Sequence, residues 1–223
     1  MTDKERSIVT VAVLGGTGKE GSALAQRWAL HGYRVIIGSR DGERAKARAA
    51  ELNQQLGGDY LTGMENSEAA QQAVLVVLTV PYSAHKDTLT SVKPYLDGKI
   101  LVDVTVPMMP PKVRTVHIPE GKSAALEARA LLGDGVRIVS AFQNVSHEKL
   151  NDPNAPVDCD ILITGDDDEA KQEVIRLVEA AGMRGIDAGT LENSVAAEAL
   201  TPVLLYINRK YKAVGSGIRI TGI

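Results

Sequence analysis

Short aliphatic runs alternate along this chain with longer stretches whose apolar residues recur every three or four positions. The first run, over residues 8–14, is β-branched and uninterrupted, the pattern of a strand buried on both faces. Glycines follow at once. Leu24, Ala25, Trp28 and Ala29 then mark one face of a helix over residues 22–31. Residues 33–37 predict a second strand, and residues 41–56 a second helix closed by Gly57-Gly58. A weak strand near residues 60–62 and a short helix near 67–72 lead to VLVVLTV at 74–80, the strongest buried-strand signal, which Pro81 stops.

The alternation continues with a helix over 83–95, a strand over 99–104 and an irregular proline-rich stretch over 108–121. A helix over 123–132 and a strand over 136–140 come next. Two prolines within residues 151–156 mark a boundary. Beyond it lie a strand (160–164), a helix (167–181), a short strand (184–186) and a long helix (192–211). Strands regularly separated by helices predict an α/β fold, a doubly wound parallel sheet of the Rossmann kind. The division expected is a dinucleotide-binding domain over 1–150 and a small C-terminal α/β domain over 151–223.

Bulk properties narrow the function. The 223 residues are 44% hydrophobic, enough for a buried core, and carry a formal charge of −3, which advertises no basic face for nucleic acid. Aromatics make up only 4%, so no stacking platform for bases is evident. Cys159 stands alone, which excludes an internal disulfide and suits a reducing cytoplasm. Residues 1–7 are charged and lack the apolar core of a signal peptide, and no run is long enough to span a membrane. The expectation is a soluble cytoplasmic protein acting on a small molecule.

The chemistry begins at Gly15-Gly16-Thr17-Gly18-Lys19-Glu20-Gly21. Gly16, Gly18 and Gly21 form GxGxxG between a strand and a helix, the context that motif requires. Such a turn brings backbone N–H groups and a helix N-terminus to a pyrophosphate. At the end of the second strand an NAD site carries an acid for the ribose hydroxyls. Here the chain reads Gly38-Ser39-Arg40, with Arg44 one turn on. A hydroxyl and two guanidiniums suit a 2′-phosphate, which favours NADP over NAD. Asp41 reads as a helix cap.

No acid–base pair stands out as catalytic. His31, His85, His117 and His147 lack metal-ligand spacing, so no metal is expected. His31 reads as a helix cap. His85 and His147 follow strand ends, where ligands bind in such sheets. The acidic run at 166–169 reads as first-turn acids on a helix dipole. Three Tyr-x-x-x-Lys pairs occur, and none has the context of a short-chain dehydrogenase. A missing acid–base group favours hydride transfer between two stacked rings, which asks the protein mainly for orientation and a shielded pocket.

VAVLGGTGKEG, VIIGSR, LTVP, GDDDEAK, DAG followed by LENS, and EALTP run in order through nearly the whole chain. In these stretches the sequence resembles the NADPH-dependent reductases of the deazaflavin coenzyme F420. The resemblance implies a homodimer with a Rossmann domain, a small C-terminal domain and the deazaflavin, as co-substrate, in the cleft between them. It implies that Thr17, Gly18, Lys19 and Glu20 hold the pyrophosphate, and Ser39, Arg40 and Arg44 the 2′-phosphate. Val80, Pro81 and Tyr82 would line the nicotinamide side. The loop Phe142-Gln143-Asn144-Val145-Ser146-His147 would face the ring pair, His147 towards the dinucleotide and Gln143, Asn144 and Val145 towards the second substrate, with Thr201 and Pro202 on its far wall.

The chain departs from the family's archaeal pattern at Gln143 (His there), Val145-Ser146 (Ile-Pro) and Tyr82 (Trp). These changes touch the acceptor's pocket. Other NADPH acceptors, such as a flavin, a ferric chelate or an imine, stay open, as does a non-catalytic NADP-sensing module. Arg209, Lys210, Lys212 and Arg219 cluster near the C-terminus, where a helix end complementing its own dipole is the simpler account of them than a site for an anionic tail.

Overall fold

In the computed structural model, which describes residues 8–223, eight strands form one sheet in the order β3-β2-β1-β4-β5-β6-β7-β8. The strands are β1 (Thr10–Leu14), β2 (Arg34–Ser39), β3 (Leu61–Glu65), β4 (Leu75–Leu78), β5 (Ile100–Asp103), β6 (Arg137–Ser140), β7 (Asp160–Gly165) and β8 (Arg184–Asp187). Between them run α1 (Lys19–Leu30), α2 (Gly42–Leu56), α3 (Asn66–Gln72), α4 (Tyr82–Val92), α5 (Ala124–Leu132), α6 (His147–Leu150) and α7 (Asp168–Ala180); α8 (Ser194–Tyr211) follows the last strand. The reading of residues 1–7 lies outside the described residues.

Strands β1 to β6 are parallel, and the order reverses direction between β1 and β4. That switch point opens a crevice outside the carboxyl ends of the strands. Strand periodicity of two sends alternate residues to opposite faces. Val11, Val13, Leu75, Val77 and Val102 pack in one core layer with α1, α2 and α7. Ala12, Leu14, Val76, Leu78 and Leu101 pack in the other with α3, α4 and α5. Burial on both faces is why these strands read as unbroken apolar runs rather than alternating ones.

Helix ends are fixed by the expected chemistry. Asp41 Oδ1 accepts from the N–H groups of Glu43 and Arg44, and Gly57 closes α2 at φ 74°. Ser123 caps α5, Asp167 caps α7, and His31 turns its ring nitrogen onto the Arg27 carbonyl. The first helix starts earlier than residue 22, because the glycine turn itself forms its N-terminus with Gly18 as cap. The fourth strand is shorter than VLVVLTV suggested. Thr79 sends its N–H and its hydroxyl to the Leu14 carbonyl, and Thr79 and Val80 then close over Gly15.

Across the 151–156 boundary the sheet continues. Strand β7 is antiparallel to β6 and shares with it the register pairs Val139↔Gly165 and Ser140↔Thr164. The rest of β7, with β8 parallel beside it, projects past the carboxyl end of β6. Side chains do most of the joining. Arg27, buried in α1, donates to the carbonyls of Lys149, Leu150, Asp152, Ala155 and Ala181. Trp28 Nε1 donates to the Leu177 carbonyl at 2.8 Å.

Candidate functional site

One cavity of about 940 Å³ runs along the carboxyl edge of the sheet across the switch point. Its outer end is built by the turn after β1. Gly15 sits at φ 75°, and a Cβ at Gly16 would lie 2.6 Å from the Val13 carbonyl oxygen. A Cβ at Gly21 would lie 2.5 Å from Thr79 Oγ1. Both positions therefore demand glycine, and neither lines the cavity. They let the first turn of α1 press against the sheet, with its unpaired N–H groups at the opening. Thr17, Gly18, Lys19 and Glu20 line this end. Burial pushes the Glu20 carboxyl up to about 8.

Ser39, Arg40 and Arg44 line the same end, beyond β2. The Arg40 and Arg44 side chains are exposed and belong to no ion pair among the described residues. Ser39 Oγ accepts from the Asp41 N–H, which fixes the bend that presents Arg40.

The inner end collects Val80 and Pro81 from the β4–α4 junction, Tyr82 from the start of α4, Gln143 and Val145 from the loop after β6, His147 from the start of α6, and Thr201 from α8. Phe142 holds that loop in place. It is wholly buried at φ 73°, a conformation costly for a non-glycine residue, and its ring packs edge-on to Trp28 with centroids 5.8 Å apart. Thr201 Oγ1 donates to the Gln143 carbonyl at 2.6 Å and brings α8 onto the loop.

Two expected substrate residues stand elsewhere. Asn144 is buried, with Nδ2 on the Asp160 carbonyl at 2.7 Å and Oδ1 near the Leu162 N–H. It splices the loop to β7 and does not line the cavity, because residues 143 and 144 lie in a turn, closed by the Val145 N–H on the Phe142 carbonyl, that sends the two amides different ways. Pro202 is buried inside α8, one position round the helix from Thr201, and faces the protein. Of the basic cluster, Arg219 is engaged with Asp158 and Asp160.

Several wall residues escaped the sequence. Asn66 lines the cavity and accepts from the Gly15 N–H at 3.4 Å; its place at the carboxyl end of β3 was the available clue. Met108, Pro110 and Val113 come from the proline-rich loop, which has no periodicity to read. Behind the inner wall lies a polar cluster. His85 meets Asp103, Tyr82 Oη donates to Glu127 Oε2 at 2.9 Å, and the Glu198 carboxylate accepts from the N–H groups of Ala124 and Ala125 at 2.7 and 3.1 Å. Burial and then Asp103 push the Glu198 carboxyl up to about 8, against the pull of those two N–H groups. Among the described residues no group of His, Cys, Asp and Glu is placed to hold a metal ion, and no helix is long and apolar enough to cross a membrane.

A Rossmann sheet whose switch-point crevice combines a glycine turn, free guanidiniums and an inner end lined by Val80, Pro81 and Val145 defines a dinucleotide-dependent oxidoreductase. Residues 10–107 match the family model described as NADP oxidoreductase, coenzyme F420-dependent. The chain is 42% identical over 222 residues to the F420-dependent NADP reductase of Methanocaldococcus jannaschii, covering 96% of this chain and 98% of that one. It is 43% identical over 220 residues to the F420-dependent NADP reductase of Methanothermobacter marburgensis, with the same coverages. The chain belongs to the F420-dependent NADP reductase family. A solved hypothetical protein from Sinorhizobium meliloti shares the fold, with a TM-score of 0.69 and 24% identity over 86% of this chain and 88% of that one.

Proposed function

We propose that this protein transfers a hydride between NADPH and the deazaflavin coenzyme F420. The observation that carries the reading is the continuity of one cavity. It leads from a phosphate end (Thr17 to Glu20, Ser39, Arg40, Arg44) to a ring-sized inner end (Val80 to Tyr82, Gln143, Val145, Thr201), in a chain of this family. NADPH supplies the hydride and the deazaflavin ring accepts it with a proton; the protein's part is to orient both and keep water from the inner end. Val80 and Val145 give that end its apolar surface, and the helix α8 residue Thr201 fixes the loop behind it.

In this reading residues 1–150 hold the dinucleotide. Residues 151–223 complete the cleft and supply a contact between two copies, for which the exposed Val203 and Tyr206 on α8 are suited. The test is to mix the purified protein with NADPH and coenzyme F420 and follow loss of the deazaflavin's visible absorbance. Turnover is expected. Absence of turnover, with riboflavin, a ferric chelate or an imine reduced instead, would overturn the reading.

A further inference from the structure

We propose that His147 is the catalytic acid–base residue of the cavity, giving the acceptor ring the proton that accompanies the hydride and taking it back when the reaction runs in reverse. The inference rests on the reading of the cavity as the site of NADPH and a ring acceptor, and adds to it the source of the proton.

Hydride transfer alone leaves the chemistry one proton short. The C4–H bond of NADPH breaks with its electron pair, that hydrogen is bonded to the acceptor ring, and the ring, now richer by the pair, binds a proton on one of its nitrogens. The group that supplies this proton must stand at the inner end and change charge in the working pH range. Imidazole is the side chain that ordinarily does so.

Of the four histidines, all within the described residues, His147 is the one that lines the cavity. His31 is turned onto the Arg27 carbonyl, His85 is shut away against Asp103, and His117 lies in the proline-rich loop outside the cavity wall. The other groups of the inner end do not compete for the role. Tyr82 gives its hydrogen to Glu127 Oε2 at 2.9 Å, and burial with that carboxylate pushes the phenol up to about 12. Gln143, Thr201, Ser83 and Thr88 carry hydrogens but no group that ionises near neutral pH. Lys19, Glu20, Arg40, Asp41 and Arg44 line the outer end.

The imidazole is also held in place. Ser146 Oγ caps α6 by accepting from the Glu148 N–H at 3.3 Å, so that His147 opens the helix. Arg27 grips the far end of that helix through the Lys149 and Leu150 carbonyls. The C-terminal tail packs on its other side, where a Cβ at Gly215 would lie 2.8 Å from Lys149 Cγ and 3.0 Å from Ser146 Cβ. Neither ring nitrogen of His147 has a hydrogen-bond or ion-pair partner among the described residues, and the residue is half-buried. It can therefore meet a ligand and still draw a proton from water. The charges around it are few: Glu148 and Lys149 on its own helix are exposed, Arg27 of α1 is engaged with carbonyls, and Tyr82 of α4 is neutral. In the forward step an imidazolium N–H bond breaks, an N–H bond forms on the ring, and water returns a proton to the neutral imidazole.

The test is the pH profile of coenzyme F420 reduction by saturating NADPH, from about pH 5 to 9, for the full chain and for His147→Gln. The substitution keeps a polar side chain and removes the proton exchange. At the acid end kcat of the variant should lie about a hundredfold below the parent's, with NADPH affinity and thermal midpoint as in the parent. The gap should close as pH rises, because the parent then loses its imidazolium; the ratio of the two enzymes cancels any ionisation of the acceptor itself. A gap of the same size at every pH overturns the assignment. So does a raised KM for NADPH with unchanged kcat, which would make His147 a dinucleotide contact, and so does a pH dependence that persists in His147→Gln and vanishes in Glu20→Gln. Failure of the unaltered protein to reduce coenzyme F420 at any pH overturns the underlying functional reading instead, which is a distinct result.

Discussion

The imidazole of His85 and the carboxylate of Asp103 meet at 2.7 Å, Nε2 to Oδ2, with both side chains shut off from water. Burial by itself would lower the imidazole's pKa. The Asp103 charge and hydrogen bond, with Glu127 adding to them, more than offset this and leave His85 above its ordinary value. Asp103 also accepts from the Thr105 N–H at 2.9 Å, and its carbonyl holds Gln143. The pair thus fixes two pieces of the cavity wall, Thr105 and Gln143, from behind.

Asp103→Asn should cost about 3 kcal/mol in urea unfolding, since it leaves half of a buried pair uncompensated. The pair also has a pH signature. A raised folded pKa gives stability that is complete below the ordinary imidazole value of 6.5 and is lost as pH rises through the higher folded value. Stability should therefore decline with rising pH from about neutral upward, and His85→Gln should flatten that decline. An unchanged slope in the variant would exclude the pair as its source.

Glu198 contributes a second decline with its own window. Its carboxyl ordinarily titrates near 4.5 and in the fold near 8. The folded state thus binds more protons than the unfolded state between those values, and stability falls as pH rises across them. Glu198→Gln keeps an acceptor for one of the α5 N–H groups and removes the titration. Urea midpoints at pH 5 and pH 8 should lie closer together in this variant than in the parent.

For Arg40→Ala the expected outcome is a loss of about ten- to a hundredfold in NADPH affinity, the worth of hydrogen bonds to a charged group. NADH, which has no 2′-phosphate, should bind nearly as before. Fluorescence titration with both dinucleotides checks this, and equal losses would remove Arg40 from the 2′-phosphate site.

Gly21→Ala places a methyl 2.5 Å from Thr79 Oγ1 and 2.9 Å from Gly16 Cα. Backbone cannot yield as a flexible side chain does, so a destabilisation of about 1–3 kcal/mol is expected, together with weakened NADPH binding. Thermal unfolding with and without NADPH measures both. Gly32→Ala, at a turn with open space around it, is the comparison that isolates crowding from backbone strain.

Most of the sheet was legible because its strands are buried on both faces and its helices are capped by the residue types that cap helices, as at Asp41, Ser123 and Asp167. The outer end of the cavity was equally legible, since glycine spacing and the Ser39-Arg40 pair are local signals. The inner end was not. Gln143 and Asn144 are adjacent amides with opposite fates, one against the cavity and one stitched to β7, and only the backbone twist imposed by Phe142 decides between them. Thr201 and Pro202 divide in the same way around the helix. The partnership of His85 with Asp103 joins residues 18 positions apart across two elements, and nothing local encodes it.

The narrow overlap of β6 with β7 has a consequence for how such a protein diversifies. Because few backbone hydrogen bonds cross that seam, the angle at which the C-terminal strands and α8 stand over the cavity is set by a handful of side chains, chiefly Arg27, Trp28, Asn144 and Glu198. These act as adjustable joints. Substitution at them can reshape the inner end of the cavity while the glycine turn at its outer end stays as it is. Selection can therefore tune the two ends of the cavity almost independently within one continuous sheet.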